Sequence, residues 1–251
     1  MTTRFVIVGA ARTGSTMLVK TLDGVDGICC HGELLNNDGV RGYADGFDPY
    51  AATPEERKAR SERLDRARKS DQAGFIRDAL AGGHSATGFK ALYSVLFDTR
   101  WSPSVDYLVA ERDIKFVHLV RHNDLRRYVS QLILQAGGTN HSAVGGRSNR
   151  SVSVTVDIDA FLTSRDATRR EVERARALID KHDVLEVGYE DMADEPGKVI
   201  AGVCEFLGVI VEPASVEPAL KKVGASDLRD SVRNFDELLA HDATHDLVIS
   251  D

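Results

Sequence analysis

Residues 5–22 read FVIVGAARTGSTMLVKTL and carry three local signals in succession. The first four residues are apolar and mostly β-branched, which favours a parallel strand that is buried on both faces. Gly9 ends this apolar run. Leu18 and Leu22 then recur at the four-residue spacing that places side chains on one face of a helix. The stretch therefore predicts a strand, a glycine-containing loop and a helix.

The predicted loop, residues 9–16, has the composition of an anion-binding site. Its two glycines let the backbone curl around an anion, and the amides that open the next helix favour negative charge. Arg12 adds a positive charge. Hydroxyl donors stand at three positions, Thr13, Ser15 and Thr16. An ordinary tight turn between strand and helix is the alternative interpretation of the loop taken alone.

Other stretches predict further strands and helices. Thr53, Pro54 and Glu56 form the capping pattern of a helix start, and the many charges from there to residue 70 are typical of a solvated helix face. The further predicted elements are strands at 114–120 and 183–187, helices at 123–134, 157–182 and 196–207, and a long loop at 137–156. Strands that alternate with helices predict an α/β fold, a mostly parallel central sheet flanked by helices, in a single domain over residues 1–251.

The bulk composition bounds the class of protein. The chain has 251 residues, 42% of them hydrophobic, which is enough to bury the core of one α/β domain. Its net charge of -7 disfavours nucleic acid as a partner, because phosphate backbones need clustered cations. Three cysteines are too few for a disulfide framework and indicate a reducing compartment. No apolar run approaches the ~20 residues of a membrane span, and the first segment lacks a signal peptide's length, so we expect a cytoplasmic protein.

Residues 11–18, ARTGSTML, resemble the phosphosulfate-binding loop of PAPS-dependent sulfotransferases, whose pattern is P-R-[ST]-G-[ST]-T-x-L. Ala11 stands in place of the common proline. Bacterial members of the NodH and trehalose-sulfotransferase type are the most similar branches, and tyrosylprotein sulfotransferases are more distant. The resemblance implies a three-layer P-loop-like fold, PAPS as the sulfuryl donor and PAP as the product. It assigns donor contacts in this loop to Arg12, Thr13, Gly14, Ser15, Thr16 and Met17.

A second segment supports the same resemblance. Residues 116–130 are similar to the family motif in which an arginine at a strand end and a serine on the next helix hold the 3′-phosphate. These roles fall on Arg121 and Ser130, and Arg126 is the alternative arginine. Arginine suits the role because its planar fork binds phosphate oxygens in pairs.

Two further segments extend the resemblance toward the end of the chain. Residues 187–192 resemble the family's Y-E-D-L element, which implies that Tyr189 approaches the nucleotide. Residues 222–226 resemble the C-terminal loop that closes over the donor, and they add Ser226 as a candidate contact.

Sulfuryl transfer needs a base for the acceptor's proton and cations for the oxygen that gains charge. The resemblance places Glu33, in the sequence CHGEL, at the position of a catalytic glutamate, and His31 is the rival base. Arg12 and Lys90 are the cation candidates, because Lys90 lies in a segment that resembles the family's G-x-K-L element. A lysine at a strand end that faces water is the alternative interpretation of Lys90. No set of ligands calls for a metal.

Together these residues predict a sulfotransferase that moves a sulfuryl group from PAPS to a hydroxyl, or an amine, of a small-molecule or carbohydrate acceptor. A P-loop kinase is one alternative, and Ser15 argues against it because a Walker A loop carries lysine at that position. A non-catalytic nucleotide-binding protein of the same fold is the other alternative. The joint presence of Glu33, Arg12 and Lys90 argues against that one.

Overall fold

A computed structural model describes residues 2–137, 152–216 and 227–250 of the chain. The strands in these residues are β1 (Thr3–Gly9), β2 (Ile28–His31), β3 (Ala86–Leu92), β4 (Lys115–Val120) and β5 (Val184–Gly188). They form one sheet in the order β2-β3-β1-β4-β5, and every pairing is parallel. The loop after β1 therefore opens at the middle of the sheet's carboxyl edge.

Helices connect the strands and cover the sheet. Within the described residues they are α1 (Ser15–Asp23), α2 (Pro54–Ser70), α3 (Gln72–Leu80), α4 (Tyr93–Leu96), α5 (Ser102–Ala110), α6 (Asp124–Gln135), α7 (Ile158–Ile179), α8 (Tyr189–Asp194), α9 (Pro196–Phe206), α10 (Phe235–Ala240) and α11 (His245–Ile249). In the described ranges, none of them combines the length and the apolar character that crossing a bilayer requires.

The apolar core lies on both faces of the sheet. Val6 and Val8 of β1 pack on one face against α3, α5 and α7. Phe5 and Ile7 pack on the opposite face against α1 and α9. Because neighbouring residues of a strand point to opposite faces, a strand buried on both sides is apolar without interruption. The result is the three-layer α/β fold that the sequence predicts.

The helix starts follow the predicted caps. The Thr53 hydroxyl accepts a hydrogen bond from the Glu56 amide at 3.2 Å, and the Glu56 carboxylate accepts one from the Thr53 amide at 2.8 Å. The Asn123 side chain accepts a bond from the Arg126 amide at 2.9 Å where α6 begins. These bonds satisfy amides that have no partner inside the helix.

Two features differ from the sequence-based expectations. The sequence patterns did not predict β2. Lys90 lies inside β3 and is 6% exposed, so the alternative interpretation of Lys90, a lysine at a strand end that faces water, is wrong. The charged helix α2 is solvated as expected along most of its length, but Arg68 is only 1% exposed.

Candidate active site

The loop between β1 and α1 turns through two residues with left-handed backbone. Gly14 has φ 80° and is the N-cap of α1, whereas Arg12 has φ 71° although it carries a side chain. The Thr13 hydroxyl donates to the Ala10 carbonyl at 2.8 Å and ties the loop together. The first amides of α1 lie at its positive end, so the loop has the geometry of an anion site.

Tyr189, the first residue of α8, lies directly against this loop. A Cβ atom on Gly14 would approach the Tyr189 ring to 2.7 Å, so the contact requires glycine there. The Arg121 guanidinium lies 4.2 Å from the centre of the same ring and donates to the Arg12 carbonyl at 3.1 Å. Arg121 and Tyr189 therefore both lie at the loop.

Ser130 also reaches the loop, from the middle of α6. Its hydroxyl accepts a hydrogen bond from Arg12 Nε at 3.0 Å. Burial lowers the pKa of Arg121, and the charges of Arg126 and Arg12 add to that effect. The loop, Arg121, Ser130 and Arg126 therefore form one positively charged neighbourhood. Met17 and the buried Ser15 lie on the first turn of α1 beside it.

Glu33 and Lys90 form an ion pair at the edge of this neighbourhood. Glu33 follows β2, Lys90 lies on the adjacent strand β3, and Lys90 Nζ is 2.7 Å from Glu33 Oε1. Lys90 Nζ also donates to the Thr16 hydroxyl on α1 at 3.2 Å. One ammonium group thus joins the predicted base to the anion loop.

The surroundings of Glu33 favour its ionised form. Burial would raise the pKa of Glu33, but the hydrogen bonds from Lys90 and Asn36 and the charges of Lys90 and Arg41 outweigh it, and the pKa is lowered. Glu33 is therefore an ionised carboxylate at neutral pH, and both of its oxygens can accept hydrogen bonds. Neither Asn36 nor Arg41 was predicted from the sequence. An amide three residues after a carboxylate was the available signal for Asn36.

His31 has a different environment from Glu33. Its Nδ1 accepts a hydrogen bond from the Ala44 amide at 3.0 Å, so Nε2 carries the proton and donates to the Ala79 carbonyl at 3.0 Å. The ring is 4% exposed and stacks on Tyr43. Both nitrogens are bound to the backbone, and neither has a free lone pair for an acceptor's proton.

A cleft of about 600 Å³ brings these groups together. Its charged lining residues are Arg12, Lys20, Asp23, Glu33, Arg41 and Lys90. Gln131 and Leu134 of α6 form the opposite wall. A volume of this size is typical of small-molecule sites.

Ser226 and the 222–226 segment lie outside the described residues. In residues 2–137, 152–216 and 227–250, no group of three or more His, Cys, Asp or Glu side chains is arranged to hold a metal ion.

The parallel sheet with an anion loop at its centre defines the class as a P-loop-like α/β protein. The chain belongs to the sulfotransferase family, because the sequence model of that family matches residues 4–213. It is therefore a transferase enzyme. No curated protein is similar enough in sequence to count as a relative.

Solved sulfotransferase structures share the fold. The sulfotransferase domain of the Synechococcus olefin synthase is 20% identical, with 90% of this chain and 82% of that chain covered and a TM-score of 0.54. The sulfotransferase domain from the curacin biosynthetic pathway is 16% identical, with 92% of this chain and 84% of that chain covered and a TM-score of 0.54. A sulfotransferase from Alicyclobacillus acidocaldarius is 18% identical, with 100% and 97% covered and a TM-score of 0.47.

Proposed function

We propose that this enzyme transfers a sulfuryl group from PAPS to a hydroxyl of a small-molecule or carbohydrate acceptor, in a single domain and in the cytoplasm. The observation that carries the proposal is the position of Lys90 Nζ, which contacts both Glu33 and Thr16. It joins a carboxylate suited to accept a proton to a loop suited to hold an anion. An amine acceptor would meet the same groups.

The donor would lie across the loop and the Arg121 region. Residues 11–17 would hold its 5′-phosphosulfate through amides, hydroxyls and Arg12. The 3′-phosphate would meet Arg121 and Ser130, with Arg126 nearby. Arg121 Nε is buried and lacks a hydrogen-bond partner within the described residues, which fits a site where a phosphate oxygen would complete the set. Ser226 remains a further candidate contact.

The chemistry assigned to the chain is the movement of one proton and the stabilisation of one charge. The acceptor oxygen bonds to sulfur while the bond from sulfur to the phosphate oxygen breaks, so PAP leaves with the bonding electron pair. Glu33 takes the acceptor's proton. Lys90 and Arg12 stabilise the charge that develops on the leaving oxygen, as cations do in phosphoryl transfer.

The kinase alternative lacks support in the loop. Ser15 occupies the position where a Walker A loop carries its lysine. In this chain the ammonium group comes from Lys90 on β3, where it is shared with Glu33.

Thermal unfolding with PAP tests the proposed donor. Binding to the native state should stabilise the protein by about 2.7 kcal/mol at a hundredfold excess over Kd, and the melting temperature should rise. ATP with Mg²⁺ serves as the control ligand and should give a smaller rise. A rise with ATP and Mg²⁺ together with none from PAP would contradict the proposal and favour a kinase.

A further inference from the structure

Arg68 is the buried charged residue of α2, a helix that is otherwise charged and solvated apart from Leu64. The side chain of Arg68 is 1% exposed. Burying a guanidinium costs free energy, here with a buried Nε that has no hydrogen-bond partner within the described residues, and an apolar residue would fill the same space. The contacts that Arg68 makes therefore indicate why a charge lies there.

Arg68 donates to the backbone of the turn that follows Glu33. Its Nη1 bonds the carbonyl oxygens of Leu34 at 3.0 Å and Asn36 at 2.7 Å. Its Nη2 pairs with the Asp65 carboxylate at 2.7 Å, which offsets the buried charge. One guanidinium thus fixes two carbonyls that lie one and three residues beyond Glu33.

Trp101 supports the same turn from the other side. Its ring lies 4.7 Å from the Arg68 guanidinium, and its Nε1 donates to the Asn37 side chain at 3.0 Å. The planar guanidinium can stack on the ring and donate in its own plane at the same time, which lysine cannot do. The turn is therefore held by two buried side chains from outside the cleft.

The turn carries one side chain, that of Asn36, to Glu33. Asn36 Nδ2 donates to Glu33 Oε2, the oxygen that does not face Lys90. We propose that Arg68 is a positioning residue for Glu33: it fixes the Leu34 and Asn36 carbonyls so that Asn36 holds the second carboxylate oxygen and leaves the first for Lys90 and the acceptor. This inference rests on the proposed role of Glu33 as base.

Titration of the Glu33 carboxylate tests this positioning role without any acceptor. The full-length protein is labelled with ¹³C at the glutamate carboxyls, and the Glu33 signal is assigned from its loss in Glu33→Gln. Arg68→Met frees the turn and weakens the bond from Asn36, so we expect the pKa of Glu33 to rise by about one. Asn36→Ala should raise it by a similar amount, and the double variant should raise it no further, because both changes remove one bond.

The controls separate positioning from general stability. Arg66→Met changes an exposed arginine of the same helix, 75% exposed, and should leave the Glu33 titration unchanged. The charges that line the cleft around Glu33, those of Arg12, Lys20, Asp23, Arg41 and Lys90, are the same in all these variants. Arg68→Lys keeps the one charge that Arg68→Met removes, so a rise of the Glu33 pKa in both variants comes from the lost bonds and not from the lost charge. PAP affinity should also stay at the wild-type value in Arg68→Met, because the loop that would bind it is intact.

The outcomes are decisive whether or not Arg68→Met folds. If it shows no cooperative melting, Arg68→Lys replaces it, since lysine keeps the charge but cannot bond both carbonyls in one plane. A wild-type Glu33 pKa in a folded Arg68 variant overturns the proposal, and so does a double-variant shift equal to the sum of the single shifts. Because no turnover is measured, these results are independent of whether PAPS is the donor.

Discussion

Glu33 and His31 differ at the scale of single residues in how their proton-accepting atoms are used. The two residues are two positions apart in the chain, and both are plausible bases by residue type. His31 gives its two nitrogens to the Ala44 amide and the Ala79 carbonyl. The two carboxylate oxygens of Glu33 contact side chains, those of Lys90 and Asn36, and not the backbone. The backbone thus fixes one candidate while side chains hold the other in the cleft.

Replacing these two residues separates their roles. Glu33→Gln keeps the size of the side chain but removes the proton acceptor, so sulfuryl transfer should fall by about 10²–10⁴-fold. PAP affinity should remain, because Glu33 lies beside the anion loop and not in it. The measurement is the release of PAP from PAPS with an accepted alcohol, together with PAP binding by calorimetry.

His31→Gln is the matched variant for that experiment. It should lower the melting temperature, since two buried hydrogen bonds change, while transfer stays near the wild-type rate. Wild-type transfer in Glu33→Gln combined with a loss in His31→Gln would move the base to His31.

The sequence predicted several polar residues of the candidate site but not how they meet. Glu33, Lys90 and Arg121 follow from motif resemblance alone. The contact of Lys90 with Thr16 joins residues 74 positions apart, and only the pairing of β3 with β1 brings them together. Arg68 offers no signal at all, because it stands among similar charges on α2 and its burial depends on the turn beside Trp101.

At the scale of elements, the sequence predicted those helix starts and strands that depend on residues close together in the chain. Thr53 and Asn123 form caps within three residues of themselves, so the starts of α2 and α6 were predicted correctly. β2 is four residues long and is stabilised by pairing with β3. A local sequence pattern does not show which strands pair, so β2 was not predicted. β3 contains a glycine and a buried lysine, so its apolar pattern is interrupted.

Gly14→Ala tests the junction of the loop, α1 and α8. Gly14 has φ 80°, and a Cβ there would lie 2.7 Å from the Tyr189 ring, so alanine adds both strain and a clash. We expect the free energy of unfolding to fall by about 1–3 kcal/mol and PAP affinity to fall with it. Urea unfolding and calorimetry measure the two effects.

Gly24→Ala provides the comparison at the other end of α1. Gly24 has φ -84°, and a Cβ there would meet its nearest neighbours at 3.5 Å, an ordinary contact. The free energy of unfolding of Gly24→Ala should therefore differ little from that of the wild type. Equal losses in both variants would mean that the Gly14 contact with Tyr189 has no special role.

At the scale of the whole molecule, two buried histidines tie the sheet to its surroundings. His31 joins β2 to the backbone of the last turn of α3 and to the loop before α2. His118 of β4 is fully buried, with Nε2 2.5 Å from the Tyr93 hydroxyl and Nδ1 3.1 Å from Glu186 on β5. Each therefore links elements that are distant in the chain.

Both histidines are harder to protonate in the fold than in the unfolded chain. Burial lowers the pKa of His31, and the bond to the Ala79 carbonyl opposes this only in part. Burial likewise lowers the pKa of His118 against the opposing charge of Glu186. Below the ordinary value of 6.5, the unfolded state then binds protons that the folded state does not.

The protein should therefore lose stability as the pH falls from about 6.5 toward 5, with a slope of up to about 1.4 kcal/mol per pH unit for each of the two histidines. This window lies above the range in which the carboxylates with lowered pKa values, such as Glu33, are protonated. Urea unfolding at a series of pH values measures the slope in the wild type, in His31→Gln, in His118→Gln and in His122→Gln, an exposed control. Each of the first two variants should have a shallower slope than the wild type, and His122→Gln should match the wild type. A wild-type slope in both His31→Gln and His118→Gln would mean that these two buried rings do not set the acid sensitivity of the fold.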